Sequence, residues 1–207
     1  MSPETRREVI IEAALRVMIH KGMAATTVRD VAQEMGTSSG LIHHYVASMD
    51  ALLAAAFERA AGQDLEATRA AMTAGAGPVE RLALFFGSYT RTDQDWAFQL
   101  WLDAWAEAGR RPDVQATSRR LNVEWQQLLT ETIRDGIRDG VVTCDDPEAA
   151  AWRILSLLDG LTLQAVAHRE AIDRNSVITW STAHAETELG LPPGSLRAPS
   201  GVTVAAR

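Results

Sequence analysis

An all-α chain of about nine helices is what this 207-residue sequence predicts, with a small N-terminal three-helix head and a larger helical body behind it. Three observations lead there. Apolar residues recur at helical spacing along most of the chain, and no alternation is long enough for a strand. Glycine, proline and capping residues interrupt that periodicity at well-separated points. Across Thr26–Val46, TTVRDVAQEMGTSSGLIHHYV, two short helical patterns meet at a Gly-Thr-Ser turn, which reads as a helix-turn-helix.

Each element has its own local reason. Residues 5–21 form the first helix, because Val9, Ile10, Ala13, Ala14, Val17 and Met18 share one face and Gly22 ends it. Thr27 caps the second helix with Asp30 at N3, a variant of the capping box, and Val28, Val31, Ala32 and Met35 supply its apolar face. Gly36 can take the left-handed conformation that stops a helix, and Ser38 caps the third, Ser39–Tyr45. There Leu41, Ile42 and Val46 can turn inward while Ser39, Gly40, His43, His44 and Tyr45 are left outward, so a partner that reads hydrogen bonds is expected.

Ser48 caps a fourth helix reaching about Met72, with Leu52, Leu53, Ala56 and Phe57 packing back on the head. The run 73–77 breaks it, and Pro78 opens a fifth helix to residue 91 with Leu82, Phe85, Phe86 and Tyr89 inward. A sixth covers about 95–108. The seventh runs from Pro112 toward Gly140, the eighth from Asp146-Pro147 to His168, and the ninth from Asp173 to Gly190. In the eighth, WRILSLLDGLTLQAVA is apolar on nearly every side and reads as buried on more than one face. The resulting division is a head of residues 1–50, a body of 51–191, and a disordered Pro-, Gly- and Ser-bearing tail from 192 to 207.

Composition narrows the function. Hydrophobic residues at 46% and charged residues at 23% fit an ordinary globular protein. No apolar run approaches the roughly 20 residues of a membrane span, and MSPETRREVI lacks a signal peptide's apolar core, so a cytoplasmic location is expected. The single cysteine, Cys144, leaves no intrachain disulfide and reads as structural. Net charge is −7, and residues 1–50 hold five Lys and Arg against six Asp and Glu. If the head binds nucleic acid, individually placed arginines must do it, and non-specific affinity should be weak.

No Ser-His-Asp, H-E-x-x-H, P-loop or G-x-G-x-x-G pattern is present. His43 and His44 are helix neighbours pointing about 100° apart, a poor arrangement for chelating one ion. No metal or cofactor is expected. A small helical enzyme or binding protein using the Trp-rich region stays as the alternative to a regulator.

The helix-turn-helix segment resembles the DNA-binding domain of the TetR (tetracycline repressor) family, matching its pattern at Thr27, Val31, Ala32, Gly36, Ser38, Gly40, Ile42, Tyr45, Ser48 and Leu52, with a conservative change at Val46. The resemblance implies a ligand-responsive transcriptional regulator, most often a repressor, bound to a palindromic double-stranded DNA operator as a homodimer through its last two long helices. Geometry puts the N-terminal half of the third helix in the major groove, making Ser39, Gly40, Leu41 and His43 base-edge candidates and Thr27, Arg29, His44 and Tyr45 phosphate candidates. Where the family usually has lysine, this chain has Met49.

A second site is expected in the body. Seven of the twelve aromatic residues lie between Phe85 and Trp105. On the sixth helix Trp96, Leu100 and Asp103 share one face, whereas Trp101 and Trp105 lie on another; Trp125 and Asp159 complete the candidate set. An indole beside a carboxylate can hold a cation through ring quadrupole and countercharge together. A carboxylate within LSLLDGLTL must be paired, neutral or bound to something. The sequences W-x-x-x-x-W-L-D-A-W and LLDGL resemble the choline-responsive, BetI-like branch of the family, which implies a small cationic amine as effector.

Overall fold

The computed structural model describes residues 2–90, 95–168 and 170–197. Among them are nine helices and no strands: α1 (Pro3–Lys21), α2 (Val28–Glu34), α3 (Ser39–Tyr45), α4 (Met49–Met72), α5 (Pro78–Ser88), α6 (Asp95–Ala108), α7 (Pro112–Arg138), α8 (Pro147–Ala167) and α9 (Arg174–Glu188). They fall into two compact units, one within residues 1–66 and 93–124 and the other within 67–92 and 125–207. That grouping departs from a single cut near residue 50, because α6 and the first half of α7 pack with the N-terminal helices.

In the first unit, α1 starts two residues earlier than its periodicity indicates, since Ser2 Oγ accepts from Thr5 N at 3.1 Å and Pro3 suits the first turn. Ile10, Ala13, Ala14 and Met18 are fully buried, but Val9 is exposed. The Thr27–Asp30 capping box is complete in both directions, and Gly36 takes φ +62°. Ser38 occupies the cap position of α3 without making a side-chain cap bond. α4 is capped by Ser48 Oγ, which accepts from Ala51 N, and it buries Leu52, Leu53, Ala56 and Phe57 as expected. Phe57 meets Trp101 of α6 edge to face, with centroids 4.9 Å apart. Asp50 Oδ2 accepts from Asp113 N at the start of α7, and Arg120 bridges Glu58 and Glu124.

In the second unit, Leu82, Phe85 and Phe86 of α5 are buried, Phe85 meeting Trp125 of α7, and Tyr89 closes the helix shortly before the expected end. Gly136 lets α7 turn closely onto the next segment, because a Cβ there would lie 2.5 Å from Val142 Cγ2. Asp146 and Asp173 cap α8 and α9 through Ala149 N and Ser176 N. These two helices pack on each other. α8 is not buried all round: Ala150, Ala151, Ile154, Leu155 and Leu158 face inward, whereas Trp152, Ser156 and Gly160 lie open on the opposite side.

Residues 192–197 do not form the expected disordered tail. Glu186 of α9 is buried, and its two carboxylate oxygens accept from Gly194 N and Leu196 N at 2.8 Å each, which folds the segment back and buries Leu196. Composition alone misses a carboxylate that caps a turn. Residues 198–207, the rest of that expectation, lie outside the described residues.

Candidate functional site

The head presents one face of α3. Ile42 is buried on the inner side, where it meets the apolar face of α1 and α2, while Gly40, His43 and His44 are exposed and Ser39, Leu41 and Tyr45 half-buried. The ring of His44 stands edge-on to that of Tyr45 at 4.9 Å, so the two cover neighbouring parts of the surface. Thr27, Val28, Arg29, Ser39 and His43 line one shallow hollow, bringing the start of α2 and the start of α3 to a common groove. Asp30 stays outside it. Hydrogen bonds from Lys21 and Thr27 hold its carboxyl down at about 2, so it is ionised and committed to the cap. Arg29 is exposed on the outer face and forms no ion pair among the described residues, which suits a backbone phosphate contact.

The aromatic candidates fall into two groups. In the first unit, Trp101 lies between Phe57 and Trp105, its centroid 5.8 Å from that of Trp105; Leu100 is buried, and Trp96 and Trp105 are exposed. Asp103 is used internally: Oδ2 accepts from Met23 N at 2.9 Å and Oδ1 from Gln99 Nε2 at 3.0 Å. In the second unit, Trp125 packs edge-on against Phe85 and Tyr89, with centroids at 5.9 and 6.1 Å. Tyr89 Oη donates to Asp159 Oδ1 across a long 3.4 Å. Burial pushes the Asp159 carboxyl up to about 7, and the Tyr89 hydroxyl opposes this only in part. Among the described residues this half-buried carboxylate has one long hydrogen bond, from a tyrosine whose ring touches Phe85 and Trp125, and it is still short of a countercharge.

Residues 78–190 match the family described as "BetI-type transcriptional repressor, C-terminal", and residues 10–56 match "Bacterial regulatory proteins, tetR family". The HTH-type transcriptional regulator BetI of Rhizobium meliloti is 33% identical over 161 residues, 77% of each chain. The chain belongs to the TetR family of bacterial regulators, with a BetI-type repressor domain. It is a DNA-binding transcriptional regulator and not an enzyme. A transcriptional regulator from Pseudomonas aeruginosa PAO1 superposes with a TM-score of 0.78 at 26% identity, covering 90% of this chain and 91% of that one. Another from Saccharomonospora viridis, solved in complex with choline, superposes with a TM-score of 0.81 at 24% identity, covering 90% and 98%.

Of the predicted DNA-contacting residues, Thr27, Arg29, Ser39 and His43 line one hollow, whereas Gly40, Leu41, His44 and Tyr45 lie elsewhere on α3. Of the predicted effector residues, Trp101 and Trp105 meet directly in the first unit, and Trp125 and Asp159 share the neighbour Tyr89 in the second. Tyr89, which joins these two, and Phe85, which packs on Tyr89 and Trp125, read as plain core in the sequence. The signal was there: a tyrosine four residues after a phenylalanine on a buried stripe carries a hydroxyl that needs a partner. Cys144 is half-buried, and burial pushes its thiol up, as suits an unreactive position.

Proposed function

We propose that this regulator represses transcription by binding a palindromic operator as a homodimer and that a small cationic amine releases it. The division is functional: residues 1–50 read DNA, and residues 51–191 dimerise and receive the effector. Thr27, Arg29, Ser39, Gly40, Leu41, His43, His44 and Tyr45 take the DNA, with the two recognition helices of the dimer about 34 to 36 Å apart in successive major grooves. The dimer seam is α8 with α9, supported by Trp152 at 39% and Trp180 at 52% exposure and by the open backbone at Gly160. A role on bacterial DNA calls for a cytoplasmic location; separately, no described helix is long and apolar enough to cross a membrane.

The effector reading is carried by one observation: among the described residues the half-buried Asp159 carboxylate is met by a 3.4 Å hydrogen bond from Tyr89, whose ring in turn touches Phe85 and Trp125. A quaternary ammonium group supplies the missing charge without needing hydrogen bonds, and the ring faces favour it further. The choline complex of the Saccharomonospora viridis relative supports the same chemistry. Release is a shift between two dimer postures, so the amine must bind the posture that spoils the operator spacing more tightly than the one that fits it.

Two titrations test this. Choline, betaine and a polyamine are added to the protein while tryptophan fluorescence is followed, and a mobility shift on the DNA upstream of the chain's own coding sequence is run with and without each compound. A specific band that choline abolishes, with quenching that saturates, is the expected result. Quenching by none of the amines overturns the cationic effector; binding no tighter than to random DNA overturns the operator reading.

A further inference from the structure

We propose that Asp103 is a positioning residue for DNA reading: its carboxylate holds α6 to the backbone of the segment that launches the helix-turn-helix, and it is not an effector contact. The inference rests on the DNA-reading part of the function proposed above and does not depend on which effector is bound.

The contact spans 80 residues of sequence and ends on a main-chain N–H, Met23 N to Asp103 Oδ2 at 2.9 Å. Gln99, one turn earlier on α6, donates to the other carboxylate oxygen and fixes the side chain from the outer side. Gly22 leaves room for the approach. Its φ of +84° disfavours a side chain, and a Cβ there would stand 3.3 Å from Asp103 Oδ2. Beyond Met23 the segment is tied internally. The Met23 side chain is fully buried, Thr26 is buried, and Thr26 Oγ1 donates to Gly22 O at 2.7 Å. The next residue, Thr27, caps α2, whose Asp30 is in turn bonded to Lys21 at the end of α1.

A displacement of α6 therefore has two outcomes. Either the Met23 N–H loses its acceptor at a part-buried position, or the segment 22–26 moves with α6 and turns α2 and α3 along with it. Trp101 gives α6 a second hold, on Phe57 of α4. A cation could use Asp103 only by taking a carboxylate whose two oxygens already hold donors. That separates it from Asp159, whose one partner among the described residues is long.

The test uses the full chain with Asp103→Ala and Asp103→Asn. Operator affinity is measured by fluorescence anisotropy on the upstream DNA, and exchange of the Met23 amide by NMR. Asp103→Ala should raise Met23 exchange at least tenfold and weaken operator binding about tenfold. Asp103→Asn should restore both, because its amide oxygen can accept from Met23 while Gln99 turns its own amide to match. A structural role unconnected with DNA would leave operator affinity in place as Met23 exchange rises, and that pattern overturns the assignment. So does an Asp103→Asn protein that binds as poorly as Asp103→Ala. If Asp103→Ala does not fold, Gln99→Ala, at an exposed position, serves instead: about threefold weaker operator binding supports the tie and unchanged binding refutes it. Failure of the wild-type chain to discriminate any operator is a separate result that removes the DNA reading itself, and this assignment with it.

Discussion

Replacing Asp159 with asparagine tests the effector cluster most directly, because one substitution should alter both stability and ligand affinity in a pH-dependent manner whose sign is fixed. The native carboxyl is pushed from an ordinary 3.8 up to about 7. At roughly 1.4 kcal/mol per pH unit, that gap has a ceiling of about 4 kcal/mol. Because the folded chain holds this proton more tightly than the unfolded chain does, the contribution is present in full below about pH 4 and is lost as pH rises through 7. Asp159→Asn removes the ionisation. Urea unfolding at pH 5 and pH 8 should then show wild type losing roughly 2.5 kcal/mol more than the variant between the two, because part of the contribution is already gone at pH 5.

The amine reads the same equilibrium from the other side. A quaternary ammonium prefers the ionised carboxylate, so choline should bind wild type about tenfold more weakly at pH 6 than at pH 8 and level off above that. Asp159→Asn should bind weakly at both, retaining only what the rings of Trp125, Tyr89 and Phe85 provide, about 1–2 kcal/mol. Tryptophan quenching titrations at the two pH values measure this. Wild-type affinity that stays flat between pH 6 and 8, or an asparagine variant that binds choline as tightly as wild type, would refute the assignment of Asp159 as the countercharge.

The remaining predictions concern the head and the seam. His43→Ala removes an exposed side chain from the α3 face, so operator affinity should fall by about 1–3 kcal/mol while the thermal midpoint stays put; a lower midpoint with unchanged specificity would mean that His43 serves the fold. Met49→Lys should add one phosphate contact per subunit and steepen the log–log salt dependence by about one per subunit, and an unchanged slope in anisotropy titrations would count against the docking used above. Trp180→Glu places a charge on the most exposed of the large apolar side chains of α9 and should convert the dimer to monomer in sedimentation with loss of tight operator binding; a stable dimer would move the seam elsewhere.

The helices could be read from sequence wherever their ends are set by neighbouring residues. Thr27 with Asp30, Ser48 with Ala51, Pro78 at N1, Asp146 before Pro147 and Gly36 at positive φ all act within four residues, and each lies where the pattern put it. Misreadings arose where a distant partner decides. Residues 192–197 are polar and turn-forming, so composition assigned them to the tail, but Glu186 accepts two of their backbone N–H groups. The apolar turns of α8 carry no mark distinguishing the side packed on α9 from the side bearing Trp152 and Gly160.

The two carboxylates show where that limit falls. Asp103 in WLDAW and Asp159 in LLDGL have almost the same surroundings in sequence: an acid after two large residues, with a small one following. Both invite the same reading, a buried acid waiting for a cation. What separates them is a backbone N–H donor 80 residues away, which Asp103 meets and Asp159 does not. Periodicity reports which face a side chain takes, and it carries no information on whether that face already supplies a donor. Of two acids on apolar helices, the one with its hydrogen bonds complete serves to position neighbouring structure, whereas the one whose charged form remains costly is free to be stabilised by a ligand. On that ground we propose Asp159 as the effector's countercharge and Asp103 as the residue that positions the helices proposed to read DNA.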